Sequence, residues 1–273
     1  MRHVPIFLCL GTLFLAGCAR PPVASTERPA EPTRSEPASS DAIGLTELYP
    51  LPGIAEENPP PGTILGLDRA ETAQAERPDD PKANLDLAYS YYKARAFADA
   101  ARCFDRAAQL LPDDPAPLLY LGYTQMSVGA LDNALKTFDR VVRLKGVSRD
   151  TLSEAYYHIG VCQATLKRTD EAIAAYSKAI GNNPKNGRAS LALGARAAER
   201  GQFEQAADFF RDAAADLPIG RQKAQAYAAL GKLAEDRKDV KAAVVAYKKA
   251  LAIDRGNVWA ENGMRRLSSG KNG

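Results

Sequence analysis

PDDPKANLDLAYSYYKARAFADAARCFDRAAQLLPDDP, residues 78–115, begins and ends on the same tetrapeptide, 34 residues apart. A fixed spacing of this size is the mark of a stacked repeat architecture and is tested before any other fold. The rest of the chain passes the test. Small alanines recur at Ala100, Ala134, Ala172, Ala206 and Ala243, with spacings of 34, 38, 34 and 37. Four residues after each comes an aromatic ring, at Phe104, Phe138, Tyr176, Phe210 and Tyr247. Three further on stands Ala107, Val141, Ala179, Ala213 or Ala250, and Pro112, Pro184 and Pro218 close three of the units. Twelve residues before each alanine lies Ala88, Gly122, Gly160, Gly194 or Gly231, always preceded by Leu or Ile.

This pattern resembles the tetratricopeptide repeat. The resemblance covers roughly residues 81–255 in five units, at about 81–114, 115–148, 153–186, 187–220 and 224–255. It implies an all-α, right-handed superhelical solenoid in which each unit is a pair of antiparallel helices. The small residues would let the helices approach, and the aromatic would fill the space under the next unit. A single unit cannot bury its apolar face, so the stack is the folding unit. The chain departs from the pattern at Ala88 (glycine is usual), at Gly146 and at Arg255 (proline is usual), and a few extra residues follow unit two. Asp68–Arg77 reads as a short helix, one period before the end of unit one, so a degenerate half-repeat over Asp68–Pro78 is expected to cover the first face. At the other end, residues 256–268 are expected to form a capping helix, with Trp259, Met264 and Leu267 inward and Glu261, Arg265 and Arg266 in solvent.

Before the repeats, the apolar run Ile6–Ala16 is too short to span a bilayer, which needs about 20 residues. It has the length of a secretory signal's core. Leu15-Ala16-Gly17-Cys18 resembles the lipobox of bacterial lipoproteins, which implies cleavage after residue 17 and acyl chains such as palmitate on Cys18. Two or more such chains anchor a protein stably. An ordinary cleaved signal with an incidental cysteine is the alternative. Ala19 is not the aspartate of inner-membrane retention, so the expected address is the outer membrane of a bacterial envelope, facing the periplasm. Residues 18–78 read as a disordered tether, because eleven of the chain's eighteen prolines fall between residues 19 and 78 among Ser, Thr, Glu and Arg. Within it, Leu45–Ile54 (LTELYPLPGI) is apolar enough to dock on something. Residues 269–273 read as a disordered tail.

Chemistry is harder to find. Of two histidines only His158 survives removal of the signal, which leaves no histidine-based metal cluster and no partner-rich triad. The glycines sit singly, with no phosphate-cradling loop. Net charge is +3 with the signs well mixed, which gives no basic stripe for nucleic acid. Cys103 and Cys162 fall on units one and three, too far apart for a disulfide, and read as packing residues. No enzyme, cofactor or metal is expected.

What remains is a surface. The resemblance implies that the fifth, ninth and twelfth residues of each unit line a concave groove. These are Leu85, Tyr89 and Tyr92; Leu119, Tyr123 and Met126; Tyr157, Val161 and Ala164. They fade to Leu191, Ala195 and Ala198, then to Ala228, Lys232 and Glu235. With Tyr120 and His158 at its margin, an apolar tyrosine-rich trough over units one to three is expected to hold a protein partner, as an extended peptide or an amphipathic helix. Packing of these tyrosines against the adjoining repeat and one another is the alternative for each of them, and a third option is that the tethered Leu45–Ile54 fills the trough in cis. The Lys, Asn and Arg with which some members of the family grip a terminal carboxylate are replaced by Leu85, Tyr89, Tyr120, Glu154 and His158, so that grip is not expected. The expected role is thus a lipid-anchored adaptor, resembling pilus-assembly factors or organisers of cell-wall enzymes. A self-assembling envelope scaffold without a client is the alternative.

Overall fold

The computed structural model describes residues 66–269. The signal segment, Cys18, most of the tether and the last residues of the tail lie outside the described residues. Within them are twelve helices and no strand. Helix α1 (Leu67–Glu76) precedes five helix pairs: α2 (Pro81–Lys93) with α3 (Phe97–Leu110), α4 (Pro115–Ser127) with α5 (Leu131–Arg143), α6 (Arg149–Thr165) with α7 (Thr169–Asn182), α8 (Gly187–Glu199) with α9 (Phe203–Asp216), and α10 (Arg221–Asp236) with α11 (Val240–Ile253). Helix α12 (Val258–Ser269) closes the stack. Each helix packs on its neighbours in sequence, which makes the all-α solenoid that the periodicity predicts.

The repeated PDDP is a helix start. Asp80 and Asp114 are the N-caps of α2 and α4, where their carboxylates accept from the backbone N–H of Lys82 and Ala116. Pro81 and Pro115 follow at the first helical turn, where a missing N–H costs nothing. Ser148, Asn186 and Asp239 cap α6, α8 and α11 in the same way. Every first helix ends in a left-handed residue: Arg95, Gly129, Lys167, Gly201 and Lys238, with φ between 60° and 77°. The next backbone N–H then bonds back across the last turn, as Ala96 does to the Tyr91 carbonyl at 2.9 Å and Arg168 to that of Gln163 at 2.8 Å. These stops turn the chain sharply enough for the second helix to lie against the first.

The recurrent glycine and aromatic meet inside the unit. A Cβ placed on Gly122, Gly160, Gly194 or Gly231 would lie 2.5–2.7 Å from the ring carbons of Phe138, Tyr176, Phe210 or Tyr247 respectively. The ring therefore rests on bare helix backbone, and all four rings are buried. Its other face serves the next unit: Phe104 stacks on Tyr120 at 5.5 Å between centroids, and Phe138 on His158 at 5.6 Å. The second of each pair belongs to the following first helix, so one ring joins two units.

The ends differ from each other. Residues 66–78, placed in the tether by the sequence but also expected to form a half-repeat over Asp68–Pro78, belong to the solenoid, as the half-repeat does. Ala70 of α1 is wholly buried, and Tyr91 of α2 donates its hydroxyl to Glu71 at 2.7 Å. The folded part thus begins at Leu67 rather than at residue 79. At the far end Gly263 of α12 lies against the hydroxyl end of the Tyr247 ring, and Trp259, Met264 and Leu267 pack inward. Arg266 is more than a wet cation. Its guanidinium grips Glu235 of α10 through two hydrogen bonds of 2.8 Å, and Tyr247 donates to the same carboxylate at 2.6 Å.

The glycine contact predicts the sign of one substitution. Gly122→Ala gains about 1 kcal/mol of helix propensity, but the new methyl must displace a ring that has no room to move, which costs about 1–3 kcal/mol. The net expected outcome is a less stable chain, measured as a lower midpoint in urea. An unchanged or higher midpoint would show that the ring is not clamped.

Candidate functional site

The first helices α2, α4, α6, α8 and α10 present one stripe of side chains each, and the stripe's composition decides what the groove contains. Over units one and two it is full. Tyr89, Tyr92, Phe104, Tyr120 and Tyr123 form a continuous set of edge-on and stacked rings, with Tyr89–Tyr120 at 5.0 Å, Tyr92–Tyr120 at 5.6 Å and Tyr120–Tyr123 at 5.5 Å. Such contacts add about 0.5–1.5 kcal/mol per pair beyond area burial. Tyr92 and His158 are 1% exposed and Tyr123 is 3% exposed, so their surfaces are already taken by this chain. Their expected role in holding a partner gives way to packing. Tyr89, Met126 and Tyr157 show only an edge, while Leu85, Leu119 and Tyr120 are half-buried at the groove surface.

Over units three to five the groove is open. A cavity of about 1140 Å³ lies along α6, α8 and α10 and the loop before α10. Tyr157, Val161, Leu191 and Ala195 form its apolar floor, and Lys185, Arg188, Arg196 and Arg221 stand around it. Of the nine residues read from sequence as partner-binding, Tyr157 alone lines it. The physical reason is side-chain volume. Where the stripe carries tyrosine it fills its own groove, and where it carries valine and alanine the space between helices stays empty. Ile219, in the loop joining α9 to α10, is 85% exposed at the rim. The arginines escaped the sequence reading because they fall beside the stripe positions rather than on them. Their spacing gave no signal.

Glu154 connects the full half to the open half. Its carboxylate accepts from the Tyr123 hydroxyl of α4 at 3.2 Å, faces His158 Nε2 one turn along α6 at 3.0 Å, and receives the Arg188 guanidinium from α8. Arg188 also lies over the Tyr157 ring, 4.7 Å from its centroid. Three units thus share one carboxylate. Burial pushes its pKa up, but hydrogen bonds and charge from His158, Arg188 and Tyr123 outweigh that and bring it down to about 2. Burial holds the His158 pKa below its usual value, against the pull of Glu154. Its Nδ1 meets no hydrogen-bonding group among the described residues. A neutral ring with its proton on Nε2, given to Glu154, leaves only a lone pair unmet there.

Cys103 and Cys162 are buried and unbridged, and burial pushes the Cys162 thiol up to about 12. Among the described residues no three His, Cys, Asp or Glu side chains gather as a metal site, and no helix is long and apolar enough to cross a membrane.

Tetratricopeptide repeat family models match residues 66–115, 85–149, 153–186 and 224–257. Together these cover more than half of the chain, which therefore belongs to the tetratricopeptide repeat family. The match from residue 66 includes α1. No curated protein sequence matches the chain. Solved structures share the fold. YrrB, described as a tetratricopeptide repeat protein with an unusual peptide-binding site, is 16% identical, with a TM-score of 0.53 over 73% of this chain and 100% of its own. PilF of Pseudomonas aeruginosa is 13% identical, with a TM-score of 0.62 over 72% of this chain and 86% of its own. PilW, described as a widely conserved type IV pilus biogenesis factor, is 17% identical, with a TM-score of 0.57 over 72% and 88%.

The network fixes a pH dependence. Glu154 has a lowered folded pKa, so its contribution is complete above the unfolded value near 4.5 and is lost as pH falls toward 2. His158 also has a lowered folded pKa, so below pH 6.5 the unfolded chain takes up a proton that the folded chain refuses. Both effects destabilise on acidification. Thermal melts should therefore fall steadily from pH 7 downward. Glu154→Gln should melt lower than the native chain at pH 7 by the equivalent of roughly 2–4 kcal/mol, with the gap closing between pH 4.5 and pH 2. A gap independent of pH would show that the carboxylate is not the shared acceptor.

Proposed function

We propose that the chain is an adaptor of the bacterial envelope, anchored through lipid on Cys18, that holds an extended segment of a protein partner in the cavity over units three to five. The observation that carries this reading is the cavity itself: a concave space with an apolar floor, walls of mixed charge that include the exposed Lys185 and Arg221, and an exposed isoleucine at its rim. Apolar floors supply affinity to an extended chain, and a few placed charges supply orientation. Lys185 and Arg221 favour a partner segment with carboxylates facing them over one that places basic residues there. No catalytic constellation competes for the space. YrrB, with its peptide-binding site, and PilW, a pilus biogenesis factor, share the fold, and an assembly pathway of the cell surface is the context we propose. The lipid and the outer-membrane address rest on Leu15-Ala16-Gly17-Cys18 and Ala19.

In cells, a photoreactive residue in place of Ile219 at the rim should yield an adduct with a partner protein. The same residue in place of Val245, exposed on the outer helix α11, should not. Cys18→Ser should abolish incorporation of labelled palmitate into the chain. Adducts from Val245 alone, or adducts only between copies of this chain, would overturn the adaptor reading in favour of a scaffold.

A further inference from the structure

The cavity's charge has a counterpart in the chain's own N-terminal sequence. From Ser35 to Leu67 there is no Lys, Arg or His, while Glu36, Asp41, Glu47, Glu56 and Glu57 are all acidic. The centre of this stretch is LTELYPLPGIAEE, residues 45–57, with Leu45, Leu48, Tyr49, Leu51 and Ile54 among its carboxylates. Apolar residues suit the floor of Tyr157, Val161 and Leu191. Carboxylates suit the walls, where the four cations do not all have the same standing. Arg188 is matched by Glu154, and Arg196 by Glu199 at 2.8 Å. Lys185 and Arg221 are exposed and form no ion pair among the described residues. Asp150 and Asp216 also line the cavity, so a ligand's acidic groups are directed to Lys185 and Arg221 rather than spread evenly.

The reach is sufficient. Twelve residues separate Ile54 from Gly66, where the folded part begins. Extended, they span up to about 40 Å at roughly 3.3–3.6 Å each. From Gly66 at the start of α1 the path crosses to α2 and then over three further first helices to α8, four steps or about 40 Å at roughly 10 Å per packed helix. A tethered segment acts at an effective concentration in the millimolar range, so even a weak fit fills the cavity until something binds better.

We infer that residues 45–57 of this chain dock in its own cavity and are the occupant that a partner must displace. The inference rests on the proposed reading of the cavity as a peptide groove, and it adds regulation to it. An anchored adaptor with its groove covered would stay silent until it met a segment of higher affinity. The partner's segment would then resemble residues 45–57 in chemistry: extended, apolar and acidic.

The test uses the purified full chain with Ile219 replaced by p-benzoylphenylalanine, and maps the photoproducts. The expected result is an intramolecular link to residues 45–57. Its yield should fall at least tenfold with Leu48→Asp and Tyr49→Asp together, and equally with Lys185→Glu and Arg221→Glu together. Lys185, Ile219 and Arg221 are all exposed, so the fold should survive, as an unchanged thermal melt would verify. A labelled peptide of residues 45–57 added in solution should bind the Leu48→Asp, Tyr49→Asp chain and not the native one. Links elsewhere, equal peptide binding by both chains or by neither, or links between isotopically heavy and light copies would overturn the inference, the last in favour of a second copy as occupant. A partner adduct in cells without the intramolecular link would sink this inference and leave the adaptor reading standing. The intramolecular link without any partner adduct would keep the docked segment but overturn the adaptor reading, and with it the claim that a partner displaces the segment.

Discussion

A glycine that lets an aromatic ring lie on bare helix backbone is the contact on which this solenoid depends. In units two to five a Cβ would come within 2.7 Å of the ring, so no other residue allows the two helices of the unit so close. The same ring then presents its far face to the following unit. The helix pair and the stacking of pairs are thus one interaction rather than two. It explains why the interval from glycine to ring is constant while the spacing between units is not. Sixteen residues separate Gly122 from Phe138, Gly160 from Tyr176, Gly194 from Phe210 and Gly231 from Tyr247. That interval holds the remainder of one helix, one left-handed stop and the first turns of the next.

Once the frame is rigid, the groove is a matter of side-chain size. The ninth residue of each unit runs Tyr89, Tyr123, Val161, Ala195 and Lys232, and the twelfth runs Tyr92, Met126, Ala164, Ala198 and Glu235. Every unit is the same helix pair, yet the first two are filled by their own rings and the next two are hollow. Glu154 sits at the border. It takes bonds from the last tyrosine of the full half and from the first arginine of the open half, so occupancy of the cavity near Arg188 bears directly on the contact between units three and four. Unit five then closes the cavity's far end, held by the grip of Arg266 on Glu235.

The repeat frame was legible from sequence because it depends on period, and a period survives any misjudgement of a single residue. The helix starts at Asp80 and Asp114 and the glycine–aromatic interval are written out in the chain. The groove was not legible in the same way. The stripe positions name the residues that face inward, but not whether a neighbour reaches them first, and Tyr120 covers both Tyr89 and Tyr92. Tyrosine on a concave face reads as an anchor when it is alone and as filling when its neighbours are also tyrosine. The alanines that make the cavity carry no chemical signal, and Arg188, Arg196 and Arg221 occur off the stripe. The half-repeat before unit one was legible from its place one period back, but the contacts that take it out of the tether were not. Helix α1 is ten residues of mostly polar sequence, and its place in the stack depends on Ala70 and on Glu71 meeting Tyr91.

The central claim is that the hollow left by small residues in units three and four is the working surface, while the tyrosines of units one and two are structure. It is tested most directly by filling the hollow. Ala164 and Ala192 are half-buried and line the cavity, so Ala164→Tyr with Ala192→Tyr would extend the ring-filled groove without disturbing the glycine contacts. The measurement is the partner adduct from position 219 in cells, with the thermal melt taken alongside. The account predicts that the adduct disappears while the melting temperature holds or rises. An undiminished adduct in a normally folded chain would contradict it and return the working surface to the tyrosines.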